Sequence, residues 1–346
     1  MSVDLLAGVD VGGSKIAVLV TDRALVPVAR RTVATGVGEP TAAVDQVADA
    51  VESTLRAAGR GVDELAAVGI GVPGRVDPAA GVVTLAVNLG WHEVALGPGL
   101  ERRFRVPVSV ENDVKAAAAG LAARGRTSGI ADLAYLGIGT GISAGVVVGG
   151  RLYRGRRGLA GEIGHVVLQE DGPLCECGLR GCLEAMASGR GIASIADEAV
   201  RAGSLVLGGG SRTTAADVYA AAGRGDPAAR AIVDAAGRAV ARAVHLLVMT
   251  YDLQAVFIGG GVTGAGRLFS DPVERALDVL RASSPLAREA LGPGVLHVLS
   301  PDADAGAWGA VVLAGRAALP ADAAAVRDDR TGVIPADAGS AEARSP

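Results

Sequence analysis

Cysteine is scarce in this 346-residue chain: there are three, all between Cys175 and Cys182. An odd, small count in a large chain excludes the disulfide frameworks that staple small secreted domains. The missing C-x-x-C pair removes the usual redox motif. Aromatic residues make up only 3 %, so the apolar half of the composition (50 %) builds its cores chiefly from Ala, Val and Leu. Positive charge is not in excess, with 33 Lys and Arg against 37 Asp and Glu and a net charge of −4. No basic stripe or helix points to nucleic acid. The start, MSVDLLAGVDVGG, has no basic segment followed by an apolar core, so no secretory signal is read there. The uncharged run Leu133 to Gly150 approaches spanning length but carries six glycines. It is expected to form two strands around a turn rather than a membrane span. A soluble cytoplasmic protein, with no membrane and no nucleic-acid partner, is the expectation.

Glycine, by contrast, is abundant, with 51 residues, which implies many turns and close backbone approaches. At roughly 150 residues per domain the length suggests two domains. The densest chemistry lies in Gly158 to Gly189, GLAGEIGHVVLQEDGPLCECGLRGCLEAMASG, which holds Cys175, Cys177, Cys182 and, ten residues ahead of them, His165. One histidine and three cysteines match the four ligands that zinc takes in a closed structural site. Gly178 and Gly181 allow the sharp turn that returns the third thiolate. The alternative is a set of inert buried thiols. Three cysteines within eight residues of a chain that has no others are a poor way to fill a core.

Leu5 to Val11 and Ile16 to Val20 read as two strands joined by Gly12-Gly13-Ser14-Lys15, with Asp10 closing the first strand. Backbone N–H groups in such a turn can hold phosphate oxygens beside a carboxylate that suits magnesium. It is neither a Walker motif nor a dinucleotide fingerprint, because G-x-x-x-x-G-K-[ST] is absent and no helix follows. A third strand is expected over Ala24 to Thr32, a helix over Glu39 to Gly59 and a buried strand over Leu65 to Val72 that ends in Pro73-Gly74. Asn88-Leu89-Gly90-Trp91 follows, with Trp91 either core or a pocket wall. Val106 to Val110 reads as a strand feeding Glu111-Asn112-Asp113 and a helix over about Val114 to Arg124. Asp113 either caps that helix or faces a cleft as a general base. A second strand–turn–strand unit is expected at Leu133 to Ile138, Gly139-Thr140-Gly141 and Ile142 to Val148. Helices follow over Ala215 to Gly225, Pro227 to Tyr251 and about Phe269 to Arg281. A strand at Ala255 to Ile258 runs into Gly259-Gly260-Gly261, and Leu296 to Leu299 is a late strand. A small-residue helix begins at Gly306, and the tail over 320–346 is expected to be disordered.

These stretches in this order resemble the ROK family of repressors, open reading frames and sugar kinases, over roughly residues 4 to 319. The most specific part is Glu162-x-x-His165 followed by C-x-C-G-x-x-G-C-x-E from Cys175 to Glu184. Asp10-Val11-Gly12-Gly13-Ser14-Lys15, Glu111-Asn112-Asp113, Gly137-Ile138-Gly139-Thr140-Gly141 and Gly259-Gly260-Gly261-Val262 complete it. The resemblance implies an α/β, two-domain fold of the actin-like, ribonuclease-H-like ATPase type with a small zinc motif. The expected units are 1–128 with about 303–319, and 129–302. It implies transfer of the γ-phosphoryl of ATP to a hexose, often at O6, with Asp113 as catalytic base. Gly74, Asn88, Asn112, Asp113, Glu162, His165 and Glu184 would surround the sugar. Asp10 would lie near Mg2+, with Gly12, Gly13, Ser14, Lys15, Gly139, Thr140 and Gly141 about the phosphates and Gly260 and Gly261 near adenosine. His165 would serve both zinc, with Cys175, Cys177 and Cys182, and the sugar. The sequence departs from the family pattern at Ser14, at Lys115 and at Ser143, where threonine, asparagine and glycine are common. Glucose is the first expectation for the acceptor. N-acetylglucosamine, N-acetylmannosamine, mannose and fructose remain open, as does polyphosphate as donor. The family's repressors carry a winged helix-turn-helix ahead of the first turn, and only nine residues precede Asp10 here. A sugar sensor without catalysis is the remaining rival. A homodimer is expected.

Overall fold

The computed structural model describes residues 4–36, 42–125, 129–208, 212–300 and 303–319; the expected tail lies outside them. The chain opens with β1 (Leu5–Val11), β2 (Lys15–Thr21) and β3 (Pro27–Ala34), then α1 (Ala43–Ala57) and β4 (Leu65–Val72). A small sheet follows, of β5 (Arg75–Asp77), β6 (Val82–Ala86) and β7 (Trp91–Val94), then α2 (Leu96–Phe104), β8 (Val108–Asn112) and α3 (Asp113–Gly125). The second half runs β9 (Leu133–Ile138), β10 (Ile142–Val148), β11 (Arg151–Tyr153), α4 (Leu183–Ala187), α5 (Gly189–Arg201), α6 (Ala215–Gly223) and α7 (Pro227–Tyr251). It closes with β12 (Ala255–Gly259), α8 (Arg267–Ser283), α9 (Pro285–Ala290), β13 (Leu296–Val298) and α10 (Ala305–Ala317).

Two five-stranded sheets share one plan. The first has the order β3-β2-β1-β4-β8 and the second β11-β10-β9-β12-β13. In each, the hairpin strands pair antiparallel and the last two strands add in parallel. The central strands β1 and β4 are buried along nearly their whole length. Strands covered on both faces read as unbroken apolar runs, which is why Leu5 to Val11 and Leu65 to Val72 are legible as strands. One face of the first sheet packs on α1 through Val47, Val51 and Leu55, all buried. Each such side chain contributes about 1.5–3 kcal/mol on burial. The other face receives Ala307, Val311 and Ala314 of α10. That approach is close: a Cβ on Gly69 would meet the Ala310 carbonyl oxygen at 1.9 Å, and one on Gly8 the Ala307 oxygen at 2.5 Å.

The long α7 and its neighbours cover one face of the second sheet. The other face is covered by Ala117, Ala118 and Ala122 of α3. Helix α3 therefore touches both sheets, and it also packs on α10 with Gly120 against Gly309. Its alanines fit because no larger side chain has room. A Cβ on Gly145 of β10 would already lie 2.6 Å from Ala118 Cβ. Among the described residues no helix is long and apolar enough to cross a membrane.

Several elements differ from the sequence expectation. The strand expected at Ala24 starts at Pro27, because Asp22 accepts the Val26 amide in a turn where Leu25 takes φ 63°. The strand expected to end at Val110 continues to Asn112, which pairs in register with Val72. Helices α2 and α5 and the small sheet were not legible. In α2 the glycines that argue against a helix are contact points, Gly97 against Gly81 and Gly99 against Val44. Trp91, 1 % exposed, is core and not a pocket wall.

Candidate active site and metal centre

A cavity of about 400 Å³ lies between the sheets. The two hairpin turns reach it from opposite sides, Gly12 and Gly13 from the first and Gly139, Thr140 and Gly141 from the second. The same cavity gathers Asp10, Gly74, Asn88, Asn112, Asp113, Glu162, His165, Glu184 and Gly260. Residues scattered over 250 positions of sequence thus share one cavity, because in each sheet the parallel strands deliver their C-terminal ends to the side that faces it. Ser14 and Lys15 sit at the exposed tip of the first turn and do not line it. Gly261 lines an adjoining cavity of about 1100 Å³ together with Thr140, Arg190, Tyr219 and Leu268. Gly260, between the two cavities, has φ 104°, and a Cβ there would meet the Ile138 carbonyl at 2.4 Å. Tyr135 and Gly306, which carried no recognisable sequence signal, also line the central cavity. A Cβ on Gly306 would fall 2.4 Å from Asp10 Oδ2, so only glycine lets the carboxylate sit there.

Asp113 is the first residue of α3, yet Asn112 is the one that caps the helix, its Oδ1 accepting the Lys115 amide at 3.1 Å. The Asn112 Nδ2 donates to the Gly74 carbonyl (3.1 Å) and to Asp113 Oδ1 (3.0 Å). Asp113 Oδ1 also accepts the Val114 amide at 2.9 Å. Its Oδ2 takes no hydrogen bond from another described residue. One oxygen thus fixes the side chain and the other is left for chemistry. Burial pushes the Asp113 carboxyl above the ordinary carboxylate range, and the Glu162 charge pushes the same way. Asp10, at the end of β1, is pushed up to about 7 by burial and by Asp113, with Lys15 opposing. A buried carboxylate so short of positive charge, with hard oxygen donors, fits Mg2+, which typically takes one or two carboxylates plus phosphate oxygens.

The segment Gly158 to Gly189 folds around its cysteines. His165 Nδ1 lies 3.7 Å from Cys175 Sγ, and Cys177 Sγ lies 3.6 Å from Cys182 Sγ. The four ligand atoms all lie within 4.8 Å of one another. Tetrahedral ligands about 2.0–2.3 Å from zinc leave edges of similar length, so the donor set fits. Gly178 turns the chain with φ 91°, and Gly181, with φ 68°, packs against the Gln169 carbonyl. Burial, followed by the neighbouring thiols, pushes the Cys182 thiol up to about 12. The exposed Cys177 thiol is shifted the other way by the Leu179 amide, so Cys182 is the ligand that most needs a cation to become a thiolate.

The cluster also places the residues on either side of it. His165 ends a 3-10 turn over Ile163–His165 that follows Glu162, and Cys182 immediately precedes α4, which carries Glu184. The Leu183 amide donates to the Val166 carbonyl at 3.0 Å, tying the two pieces together. Since His165 Nδ1 faces the thiols, Nε2 is the nitrogen left for the cavity. Glu184 Oε2 accepts the Ile142 amide at 2.8 Å and presses on Gly141, bracing the second turn. The amide of Gly189, at the start of α5, donates to the Gly139 carbonyl at 2.8 Å. Arg190 then pairs with Glu176 and reaches Asn88 Oδ1 at 3.4 Å, from the opposite half.

These features define a class: a two-sheet α/β protein whose halves meet at a cleft with paired glycine turns, a strand-end carboxylate pair and a histidine–cysteine cluster. The ROK family profile matches residues 6–317, and the chain belongs to that family. It is 34 % identical over 275 residues to a glucokinase of Halalkalibacterium halodurans, covering 78 % of this chain and 83 % of that one. It is 33 % identical over 261 residues to an N-acetylmannosamine kinase of Shigella flexneri, covering 74 % and 83 % of the two chains. Its fold is similar to the crystal structure of a ROK family glucokinase from Streptomyces griseus in complex with glucose and AMPPNP. There the TM-score is 0.73 and the identity 32 %, over 90 % of this chain and 99 % of that one.

Proposed function

We propose that this chain is an ATP-dependent hexose kinase and that glucose, phosphorylated at O6, is its acceptor. The observation that carries the reading is the Asp113 carboxylate, with one oxygen tied and one open, between two glycine turns and beside Glu162, His165 and Glu184. The similarity to a glucokinase that holds glucose and an ATP analogue supports both the acceptor and the donor. The similarity to an N-acetylmannosamine kinase keeps N-acetylmannosamine, and with it N-acetylglucosamine, mannose and fructose, as the alternatives the first test separates.

Phosphoryl transfer asks for positioning and charge neutralisation more than for new covalent chemistry. Glu162, His165 Nε2 and the open oxygen of Glu184 accept and donate to sugar hydroxyls and fix the ring. The acceptor hydroxyl then faces Asp113 Oδ2, which takes its proton as the oxygen attacks the γ-phosphorus and ADP departs. The amides of Gly13, Thr140 and Gly141 hold phosphate oxygens, while those of Gly12 and Gly139 close their turns on the Lys15 and Gly141 carbonyls, and the larger cavity beside Gly260 and Gly261 takes adenosine. Asp10 would hold Mg2+, which when bound neutralises phosphate charge. His165, Cys175, Cys177 and Cys182 would hold a structural Zn2+ that shapes the sugar wall. Three thiols held as metal ligands suit a reducing compartment such as the cytoplasm. The matching strand orders suit an actin-like, ribonuclease-H-like pair of domains, residues 1–128 with 303–319 and residues 129–302. The exposed apolar Tyr153, Leu159, Val166 and Leu246 are the surface for a homodimer.

A panel of hexoses and N-acetylhexosamines with MgATP, read as sugar-dependent ADP release, tests the reading. Among these neutral sugars glucose is expected to give the highest kcat/KM. A different best sugar changes the acceptor, and no turnover of any sugar leaves a sugar sensor without catalysis and overturns the kinase. Because Asp113 must be ionised to act, kcat/KM is expected to fall as pH drops through a midpoint above the ordinary carboxylate range.

A further inference from the structure

Beyond the acceptor end of the cleft lies a second cavity of about 390 Å³ that shares Gly74, Asn112 and Glu162 with it. It includes none of the glycine-turn residues, so it is separate from the phosphates of the donor. Its charged lining is lopsided. Arg75, Lys115, Arg154, Arg156 and Arg157 face only Asp77, Glu111 and Glu162.

Two of those three carboxylates are already engaged. Glu111, 3 % exposed, accepts the Arg154 guanidinium at 2.7 Å and the Asn112 amide at 3.0 Å. Asp77 accepts the amides of Ala79 and Ala80 at 3.0 and 3.1 Å. Lys115 is only 6 % exposed, and its ammonium meets one acceptor, the Gly158 carbonyl. Two of its three N–H bonds therefore have no acceptor among the described residues. The guanidiniums of Arg75, Arg156 and Arg157 also have no partner among the described residues, although they are exposed. A buried cation with unused donors is costly unless an anion meets it. Burial lowers the Lys115 pKa, while Glu111 and Glu162 oppose that shift.

We propose that this annex takes an anionic substituent of the acceptor sugar, a carboxylate or a phosphate, bound by Lys115 and by Arg156 and Arg157 of the loop before Glu162. Guanidinium and ammonium groups meet both anions with charge-assisted hydrogen bonds. The inference rests on the kinase reading and deepens it: the acceptor keeps the glucose ring and its O6, and a glucose bearing an acidic substituent is taken in preference to glucose itself. The chemistry at the hydroxyl is unchanged. Its oxygen bonds to the γ-phosphorus, the bond to the β-phosphate oxygen breaks with its electron pair leaving on ADP, and the proton passes to Asp113. The anionic substituent is not altered.

The test compares glucose, glucose carrying a phosphate at O1 and glucose carrying a carboxyalkyl ether at O3, first as acceptors and then by calorimetric titration without nucleotide. At least one anionic sugar is expected to exceed glucose in kcat/KM by about 10-fold or more, an advantage that shrinks with added salt. In the double variant Arg156→Ala, Arg157→Ala the advantage is expected to vanish while glucose turnover stays within about 3-fold. Lys115→Met should remove it as well, and Lys115→Arg should restore part of it. The phosphate and carboxylate arms distinguish which anion the annex prefers. Glucose turned over as well as both anionic sugars, or an advantage that survives in the arginine double variant, overturns the annex and leaves the kinase standing. If nothing is turned over, the kinase reading falls, and the titration still decides the annex. Tighter binding of an anionic sugar, lost in the double variant, supports it, and equal binding of all three sugars overturns it.

Discussion

The two halves of this molecule use the same sheet order and the same hairpin-first plan, yet they equip their turns differently. Asp10 and Lys15 flank the first turn, and it faces Asp113 across Gly71. The second turn, Gly139-Thr140-Gly141, has no ionisable residue of its own and is braced from behind by Glu184 and by the start of α5. Those braces descend from the histidine–cysteine cluster. One half therefore supplies charge and the other supplies shape held by the histidine–cysteine cluster. Helix α3, packed on both sheets, carries Asp113 to where they meet. A duplicated scaffold does not imply duplicated chemistry, because strand ends fix where a turn sits and not what it bears.

The largest expected effect breaks the charge-bearing side. Asp113→Asn preserves shape but cannot take a proton, and general bases contribute about 10²- to 10⁴-fold. Its kcat is expected to fall by about 1000-fold, with sugar affinity by calorimetry within a few-fold of the parent. Equal loss of both would make Asp113 structural.

Next comes the shape-bearing side. Cys182→Ser should lower bound zinc, measured by elemental analysis, from about one per chain to well below it. The sugar KM should rise by about 10- to 100-fold, the usual cost of disturbing a metal site's supports, with the ATP KM nearly unchanged. An unchanged sugar KM would detach the metal site from the acceptor.

The third change tests the packing of α10 on the first sheet. Gly69→Ala forces a Cβ against the Ala310 carbonyl, and overpacking of this kind costs about 1–3 kcal/mol. Thermal unfolding should shift down while zinc content stays the same. The fourth separates stability from function at Asp10. Its folded pKa of about 7 lies above the 3.8 of an ordinary aspartate, so the folded state holds an extra proton between them. The stability this contributes is full below the lower value and is lost as pH rises to the upper one. Without Mg2+, Asp10→Asn is therefore expected to raise Tm more at pH 8 than at pH 5, while abolishing turnover. A Tm gain that does not grow with pH would contradict the burial argument.

The smallest effect sharpens the contrast between the turns. Thr140 lines both cavities and Ser14 lines neither. Thr140→Ala should raise the ATP KM about 3- to 10-fold, on the order of one lost hydrogen bond, and Ser14→Ala less than 2-fold. The reverse order would restore Ser14 to the phosphate site.

Local signals determined a good deal. Apolar runs broken by glycine mark both hairpins, and the spacing of His165, Cys175, Cys177 and Cys182 marks the four-residue cluster, because turns and ligand sets are short-range constraints. The 3.6-residue period of Ala228, Ile232, Ala236 and Val240 marks α7, which buries one continuous stripe. Helices α2 and α5 were hidden, since Gly97, Gly99 and Gly189 serve contacts with Gly81, Val44 and Gly139, far away in sequence.

The tertiary structure alone decided several matters. Asn112 rather than Asp113 caps α3, which leaves one Asp113 oxygen open, and this depends on β8 running two residues further than its apolar pattern. Ser14 and Lys15 lie outside the cleft, while Tyr135 and Gly306 lie inside it. Lys115, a departure in a familiar motif, gains meaning only when β11 brings the 154–162 loop against it. Sequence records which groups a chain owns. Only packing decides which of them remain unpaired, and unpaired buried groups are where binding and catalysis occur.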